Sequence, residues 1–307
     1  MPRIPSPYDS ASLFYRDYVP GTPLKGSKQN NLTLVFLHGW PMSSRMWQQY
    51  LLPLCQDHGF RCIAPDRRGF GDSEWNGHRS NDAAKNQITY ETFADDVIFL
   101  LEELAVGNFV FIGSSMGCGE SLLAWERSPY CQQHCKGFIW IGCNLPYPIQ
   151  SSSNPTAPSI ELWQSIITSF RTARPQFVAE ALPGIFGVPA GASISTKTLE
   201  NYERIVAQAD GLGIERTNNI LVERDFTPSV RRLGEQGEVG VRLLLLHGDS
   251  DSGMPYEASA GIVKELVPRA QVKLYEKAGH GLQETHAEQI LQDILDFVRG
   301  DGDEKRA

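Results

Sequence analysis

Apolar residues along this chain fall into two alternating rhythms. Six short runs are almost uninterrupted: 32–37 (LTLVFL), 61–65 (RCIAP), 108–112 (NFVFI), 137–141 (GFIWI), 241–246 (VRLLLL) and 271–275 (QVKLY). Their length and near-continuous hydrophobicity predict strands buried on both faces. Residues 13–18 predict an edge strand ahead of them. Between these runs the spacing changes to three and four. Residues 90–104 place Phe93, Val97, Leu100, Leu101 and Leu104 on one face, and 116–125 predict a helix starting directly after a strand. Further helices are predicted over 256–267 and 284–298, the last with Ile290, Ile294, Leu295 and Val298 as its apolar stripe. Strands alternating with helices predict an α/β fold: a mostly parallel sheet flanked by helices.

Residues 145–232 break this rhythm. They open with a Pro/Ser-rich segment, LPYPIQSSSNPTAPS, and continue with helical periods only, over 161–181, 195–209 and 215–224. The expected organisation is a core made of 1–144 and 233–307, with 145–232 inserted as a helical cap or lid over the C-terminal edge of the sheet, where open α/β sheets bind ligands. The tail GDGDEKRA is expected to fray.

Gly113-Ser114-Ser115-Met116-Gly117 fits G-x-S-x-G between the strand NFVFI and a helix. A chain reversing that sharply needs small residues on both sides of the serine, and the reversal lifts the hydroxyl out of the sheet. The alternative is a small-residue turn holding a chance serine. A serine nucleophile needs a base, and the base an orienting acid, in the chain order Ser, Asp/Glu, His on such a sheet. In HGDSDSGMP, Asp251 lies two residues further into the loop than Asp249, whose place beside Gly248 suits a turn-forming role. His280 sits in AGHG after the last strand, with glycines that let the loop curl inward. Backbone donors for a tetrahedral oxyanion are expected from Met116, at a helix N-terminus, and from Trp40, since Pro41 has no N–H.

Other polar groups read as structural. His38 and His247 end strands beside a glycine and are expected to be neutral and hydrogen-bonded to neighbouring loops. His286 falls inside the last helical pattern, and His58, His78 and His134 lie in polar segments. Asp66-Arg67-Arg68-Gly69-Phe70-Gly71 lacks the Lys-Ser/Thr of a phosphate loop and reads as a tight turn. Asp95 and Asp96, adjacent on a helix, do not face each other and are expected on a solvated face or in a cap contact. The cap aromatics Trp163, Phe170, Phe177 and Phe186, with Tyr147 at its entrance, either line an apolar substrate pocket or form the cap's own core.

The segments HGWPMSSRMW, APDRRGFGDSEW, ITYETFADDVIFLLEEL, GSSMGCGES, HGDSDSGMP and AGHG resemble the α/β-hydrolase superfamily, and within it the cofactor-free (non-heme) chloroperoxidase and aryl-esterase group. The resemblance runs from about residue 32 to 298 and is weak in the cap. It implies an α/β-hydrolase fold and a serine hydrolase acting on an ester, lactone or related acyl bond without a cofactor. It further implies Ser115 as nucleophile, Asp251 as acid, His280 as base, and Trp40 and Met116 as oxyanion donors. Ser114 departs from the group's usual His before the nucleophile, and Cys118 from its usual third Gly. Peracid formation on the same triad, carbon–carbon bond hydrolysis and a triad-retaining ligand receptor are the alternatives. Asp at position 115, the mark of epoxide hydrolases and haloalkane dehalogenases, is absent.

Composition narrows the partners. The 307 residues carry a net charge of −8 with no long basic run, against nucleic acid or an anionic membrane as partner. No stretch approaches a membrane span and the N-terminus has no apolar signal core. Six scattered cysteines predict reduced thiols in a cytoplasmic protein rather than a disulfide framework or a metal site.

Overall fold

The computed structural model describes residues 2–21, 31–77 and 87–300. Among them, eight strands form one sheet: β1 (Arg3–Pro5), β2 (Ser12–Tyr18), β3 (Thr33–Leu37), β4 (Arg61–Pro65), β5 (Phe109–Ser114), β6 (Cys135–Ile141), β7 (Arg242–Gly248) and β8 (Gln271–Tyr275), in the order β1-β2-β4-β3-β5-β6-β7-β8. From β4 to β8 all pairings are parallel, and β2 alone runs against the others, paired antiparallel with β1 on one side and β4 on the other. The edge strand is therefore β1, which carries too few residues to show a pattern, and β2 lies inside it.

Each inner strand sends alternate residues into two separate cores. Val35, Leu37, Phe109, Phe111, Phe138, Trp140, Leu243 and Leu245 join one. Leu34, Phe36, Val110, Ile112, Ile139, Ile141, Leu244 and Leu246 join the other. Burial on both faces is the reason these strands read as continuous apolar runs instead of alternating ones. The first core is covered by α2 (Tyr90–Glu103), α3 (Met116–Arg127), α8 (Thr227–Gly234) and α9 (Ala260–Leu266), the second by α1 (Gln48–Gln56) and α11 (Ala287–Arg299). α1 escapes the sequence pattern because it is short and holds Pro53, which removes one bond from its ladder. α4 (Pro129–His134) is shorter still. The predicted helix 256–267 is a single 3-10 turn followed by α9, and the predicted 284–298 helix breaks at His286 into α10 (Leu282–Thr285) and α11.

Between β6 and β7 run α5 (Ile160–Ile185), α6 (Thr196–Ala207) and α7 (Gly211–Glu223), then α8, which rests on α3, with Ser229 and Arg232 both bonded to Glu126. α5 kinks at Ala173 (φ −150°, ψ 44°), two residues before Pro175, whose ring and missing N–H interrupt the helical ladder. Side chains and main-chain atoms both tie the insertion to the rest of the chain: the Tyr202 hydroxyl donates to Glu284 (2.9 Å) and Arg224 pairs with Glu91 (2.9 Å). Asp210 N donates to Gly69 O (2.7 Å), Gly281 N to Ile185 O (2.8 Å), and the Trp40 indole N–H to Ile214 O (3.0 Å).

The turn after β4 is held by charges buried beneath it. Arg67 pairs with Glu120, and Arg68 reaches Asp96 (2.5 Å) and Asp9 (2.8 Å). Asp96 is thus not on a solvated face as expected. It is 9 % exposed, taken up by Arg68 and the Ser6 hydroxyl, because the helix turns it towards the β4 loop. Asp95, one residue earlier, does face solvent, paired with Arg127. All six cysteines are free and buried. No helix among the described residues is long and apolar enough to cross a membrane. Residue 78 and the tail from 301 onward lie outside the described residues.

Candidate active site

The chain leaves β3 towards β4 on one side and returns with β5 on the other, so the loops after β3 and β5 part at this switch point, where open α/β sheets hold ligands. Ser115 sits there, between β5 and α3, with φ 51° and ψ −116°, a left-handed backbone that costs a non-glycine residue about 1–3 kcal/mol. Its neighbours show why the turn is closed to larger residues. A Cβ at Gly113 would lie 2.6 Å from Gly117 O, and one at Gly117 would lie 2.2 Å from Leu37 O. Met116 is the first residue of α3, a position whose N–H has no intrahelical acceptor.

The loops after β7 and β8 bring Asp251 and His280 together. His280 Nδ1 and Asp251 Oδ2 are 2.7 Å apart. The other Asp251 oxygen accepts the N–H groups of Gly253 (3.0 Å) and Met254 (2.8 Å). Burial alone pushes the Asp251 carboxyl up, yet the His280 charge and hydrogen bond hold it below the usual range. Burial likewise opposes charging of His280, but Asp251 raises it above an ordinary histidine. Gly142, at the end of β6 with φ 55°, fits against the His280 loop, where a Cβ would lie 2.9 Å from His280 O. Asp249 faces elsewhere: its Oδ1 accepts from Lys277 N (2.8 Å) and the Ser250 hydroxyl, bracing one loop against the other.

The two strand-end histidines are buried. His247 donates Nε2–H to Met254 O (2.8 Å) and lies 3.4 Å from Asp251 through the same nitrogen, its pKa lowered by burial. His38 is 1 % exposed, its Nε2 accepting from Arg67 N in the loop after β4.

Ser115 and His280 both line a cavity of about 320 Å³, within the range of small-molecule sites. Its walls are largely apolar, and α5 supplies more of them than any other element: Trp163, Phe170, Phe177, Leu182 and Ile185, with Phe186 just past its end. Trp40 belongs to the same wall, its ring edge-on to Phe170 (5.4 Å) and Trp163 (6.3 Å). Phe186 does double duty: it lines the cavity and packs edge-on against Tyr202 at 4.8 Å. Tyr147 does not line the cavity. The segment around it is drawn aside by Phe226 N on Pro146 O (2.9 Å) and the Trp163 indole on Pro148 O (3.0 Å), so Trp163 forms that wall instead.

Two polar lining residues escaped the sequence reading. Asn144 and Gln283 are 3 % and 4 % exposed, and each has a side-chain oxygen without a hydrogen-bond partner. The available signal for Asn144 was a polar residue just beyond the apolar run GFIWI. No cluster of three or more His, Cys, Asp or Glu among the described residues is arranged to hold a metal ion.

Residues 33–287 match the family model for the alpha/beta hydrolase fold. The chain is 31% identical over 301 residues to a non-heme haloperoxidase of Rhodococcus erythropolis, covering 94% of this chain and 97% of the relative. It is 29% identical to a bifunctional esterase/perhydrolase of Acinetobacter calcoaceticus, covering 95% and 97%. Among solved structures, the bromoperoxidase from Bacillus anthracis superposes with a TM-score of 0.80 at 26% identity, over 97% of this chain and 99% of that one.

Proposed function

Given that the chain belongs to the α/β-hydrolase fold family and is an enzyme of the ester-hydrolase type, we propose that it cleaves an ester, lactone or related acyl bond through an acyl-enzyme on Ser115. The observation that carries this reading is the juxtaposition, on one apolar cavity, of a serine on a strained strand–helix turn and a histidine oriented by a buried carboxylate. Asp251 at Nδ1 leaves His280 Nε2 as the base. In the proposed reaction Nε2 takes the Ser115 proton as Oγ attacks the substrate carbonyl, and the N–H groups of Trp40 and Met116 receive the oxyanion. Nε2 then hands the proton to the leaving alkoxide. Water, deprotonated by the same nitrogen, attacks the acyl-enzyme and releases the acid and free Ser115.

With hydrogen peroxide in place of water, the acyl-enzyme gives a peracid and free Ser115. The similarity to the esterase/perhydrolase favours this as a second activity of the same site. Trp163 and Phe186 are proposed to contact the acyl group, which the cavity walls select for apolar character.

The test is labelling with a fluorophosphonate, read by intact mass, followed by turnover on a panel of esters and lactones. One phosphonyl adduct on the wild type, none on Ser115→Ala, and a loss of turnover on the order of 10⁶ are expected. Substantial turnover by Ser115→Ala refutes the proposal.

A further inference from the structure

We propose that His38, locked by Arg67, is a positioning residue that aims the Trp40 N–H at the reacting carbonyl by fixing the plane of the Gly39–Trp40 peptide. This role rests on the acyl-enzyme chemistry proposed above.

The tautomer of His38 follows from its neighbours. Arg67 N–H lies 2.9 Å from Nε2. A backbone amide can only donate, so Nε2 is the acceptor and the ring proton is on Nδ1. That proton points at Gly39 O, also at 2.9 Å. The competing contact, Arg67 Nη1 to Nδ1, is 3.5 Å long and would need both ring nitrogens bare, which a neutral imidazole does not allow. Complete burial and the Arg67 charge hold the pKa of His38 well below the ordinary value, so the ring stays neutral.

The consequence is geometric. A trans peptide is planar, and its C=O and N–H point in opposite directions. Gly39 O accepts from His38 Nδ1 and from Met42 N (2.9 Å), which fixes the direction of that carbonyl. The N–H on the far side of the same plane is that of Trp40, which has no acceptor among the described residues. Gly39 itself abuts the nucleophile: a Cβ on it would lie 3.4 Å from Ser115 Cβ.

Arg67 extends the lock. Its Nη2 donates to His38 O (2.8 Å), so two successive carbonyls of the loop are held. Its Nε bonds Glu120 (2.9 Å), which stands on α3, the helix that begins at Met116. Arg67 and Glu120 thus tie the loop carrying one proposed oxyanion donor to the helix carrying the other.

The variants His38→Gln and His38→Asn separate this role from simple packing. An asparagine amide can place a donor where Nδ1 stands, whereas a glutamine amide places it at the Nε2 position. With p-nitrophenyl acetate, His38→Gln is expected to lower kcat about 10²-fold, the scale of one lost oxyanion donor, with KM within about threefold. Its affinity for phenylboronic acid, which forms a tetrahedral adduct on the serine, should fall in parallel. His38→Asn should keep kcat within about tenfold of wild type. If His38→Gln does not fold, His38→Ala replaces it in the same comparison. A folded His38→Gln or His38→Ala with wild-type kcat and boronate affinity overturns the role, as does an equal loss in His38→Asn. The Ser115→Ala control keeps the two proposals apart. Turnover that survives in Ser115→Ala removes the acyl-enzyme and this role together. Turnover lost in Ser115→Ala but indifferent to His38 removes this role alone.

Discussion

Asp251 meets His280 at 2.7 Å through one oxygen while its other oxygen is held by two backbone amides, so the carboxylate cannot rotate away from the imidazole. Asp249, two residues earlier, is bound instead to Lys277 N and Ser250. Asp251→Asn should therefore lower kcat by about 10⁴ by favouring the wrong His280 tautomer. Asp249→Asn should act mainly through loop stability. Equal kcat losses in the two variants would contradict the assignment of Asp251 as the acid.

The pH profile carries a second signature of the pair. His280 must be neutral to act as a base, and Asp251 raises its pKa above the ordinary histidine value of about 6.5. The acid limb of kcat/KM should therefore lie above pH 6.5 and move down in the residual activity of Asp251→Asn. The stability linkage has opposite signs for the two partners. His280, raised, contributes stability at low pH that is lost as pH rises through its folded pKa. Asp251, lowered, contributes stability above about pH 4 that is lost on acidification. A pH–rate profile of both proteins checks the first statement, and melting temperature against pH the second.

Trp163 and Phe186 should respond differently to truncation. Trp163 is half-buried and lines the cavity, so Trp163→Ala should reorder acyl preference by about 1–3 kcal/mol between competing substrates. Phe186 is 1 % exposed and packed on Tyr202, so Phe186→Ala should also cost about 3–5 kcal/mol of stability. A substrate panel and thermal melts on the same two proteins test both. An unchanged ranking in both variants would assign these rings to packing alone.

Asn144 has an unpartnered oxygen beside the cavity. If its amide meets a polar group of the substrate, Asn144→Leu should shift preference towards purely hydrocarbon acyl groups by about 1–2 kcal/mol. The melting temperature should hold or rise, because a buried polar group without a partner is removed. Comparing hydroxylated with plain acyl esters gives the answer, and no shift means that Asn144 does not contact the substrate.

Asp95 and Asp96 offer a stability contrast. Asp96→Ala leaves the buried Arg68 with a weakened shell and should cost about 3–5 kcal/mol. Asp95→Ala breaks an exposed pair and should change stability by less than about 1 kcal/mol. Denaturant melts of the two variants decide it.

The sheet and the small-residue turn were legible because each is written locally: uninterrupted apolar runs for doubly buried strands, and glycines at 113 and 117 where a Cβ would strike backbone. Asp251 and His280 were legible from their places after two strands. Asp96 was not, because the fate of a carboxylate on a helix depends on which loop turns towards it, here the one carrying Arg68. Tyr147 was misplaced for a similar reason. Hydrogen bonds from Phe226 and Trp163, distant in sequence, decide where its segment runs. The lining role of Asn144 depends on the cavity roof, which no local pattern describes.

The fastenings between the helical insertion and the sheet have a consequence for how such a protein diversifies. Asp210 N, Gly69 O, Gly281 N, Ile185 O and Ile214 O are backbone atoms, independent of the side chains that line the cavity. The cavity walls, by contrast, are side chains, more of them from α5 than from any other element. Substitutions at wall residues such as Phe170 or Phe177 therefore leave these backbone fastenings intact, and the insertion can change its chemical taste without giving them up. Among the side chains that also cross the joint, Trp40 stands nearest the nucleophile: its indole grips the Ile214 carbonyl while its own backbone belongs to the loop beside Ser115. A helix that drew away from that indole would be felt at the nucleophile, so the roof is free to vary in composition but not in height.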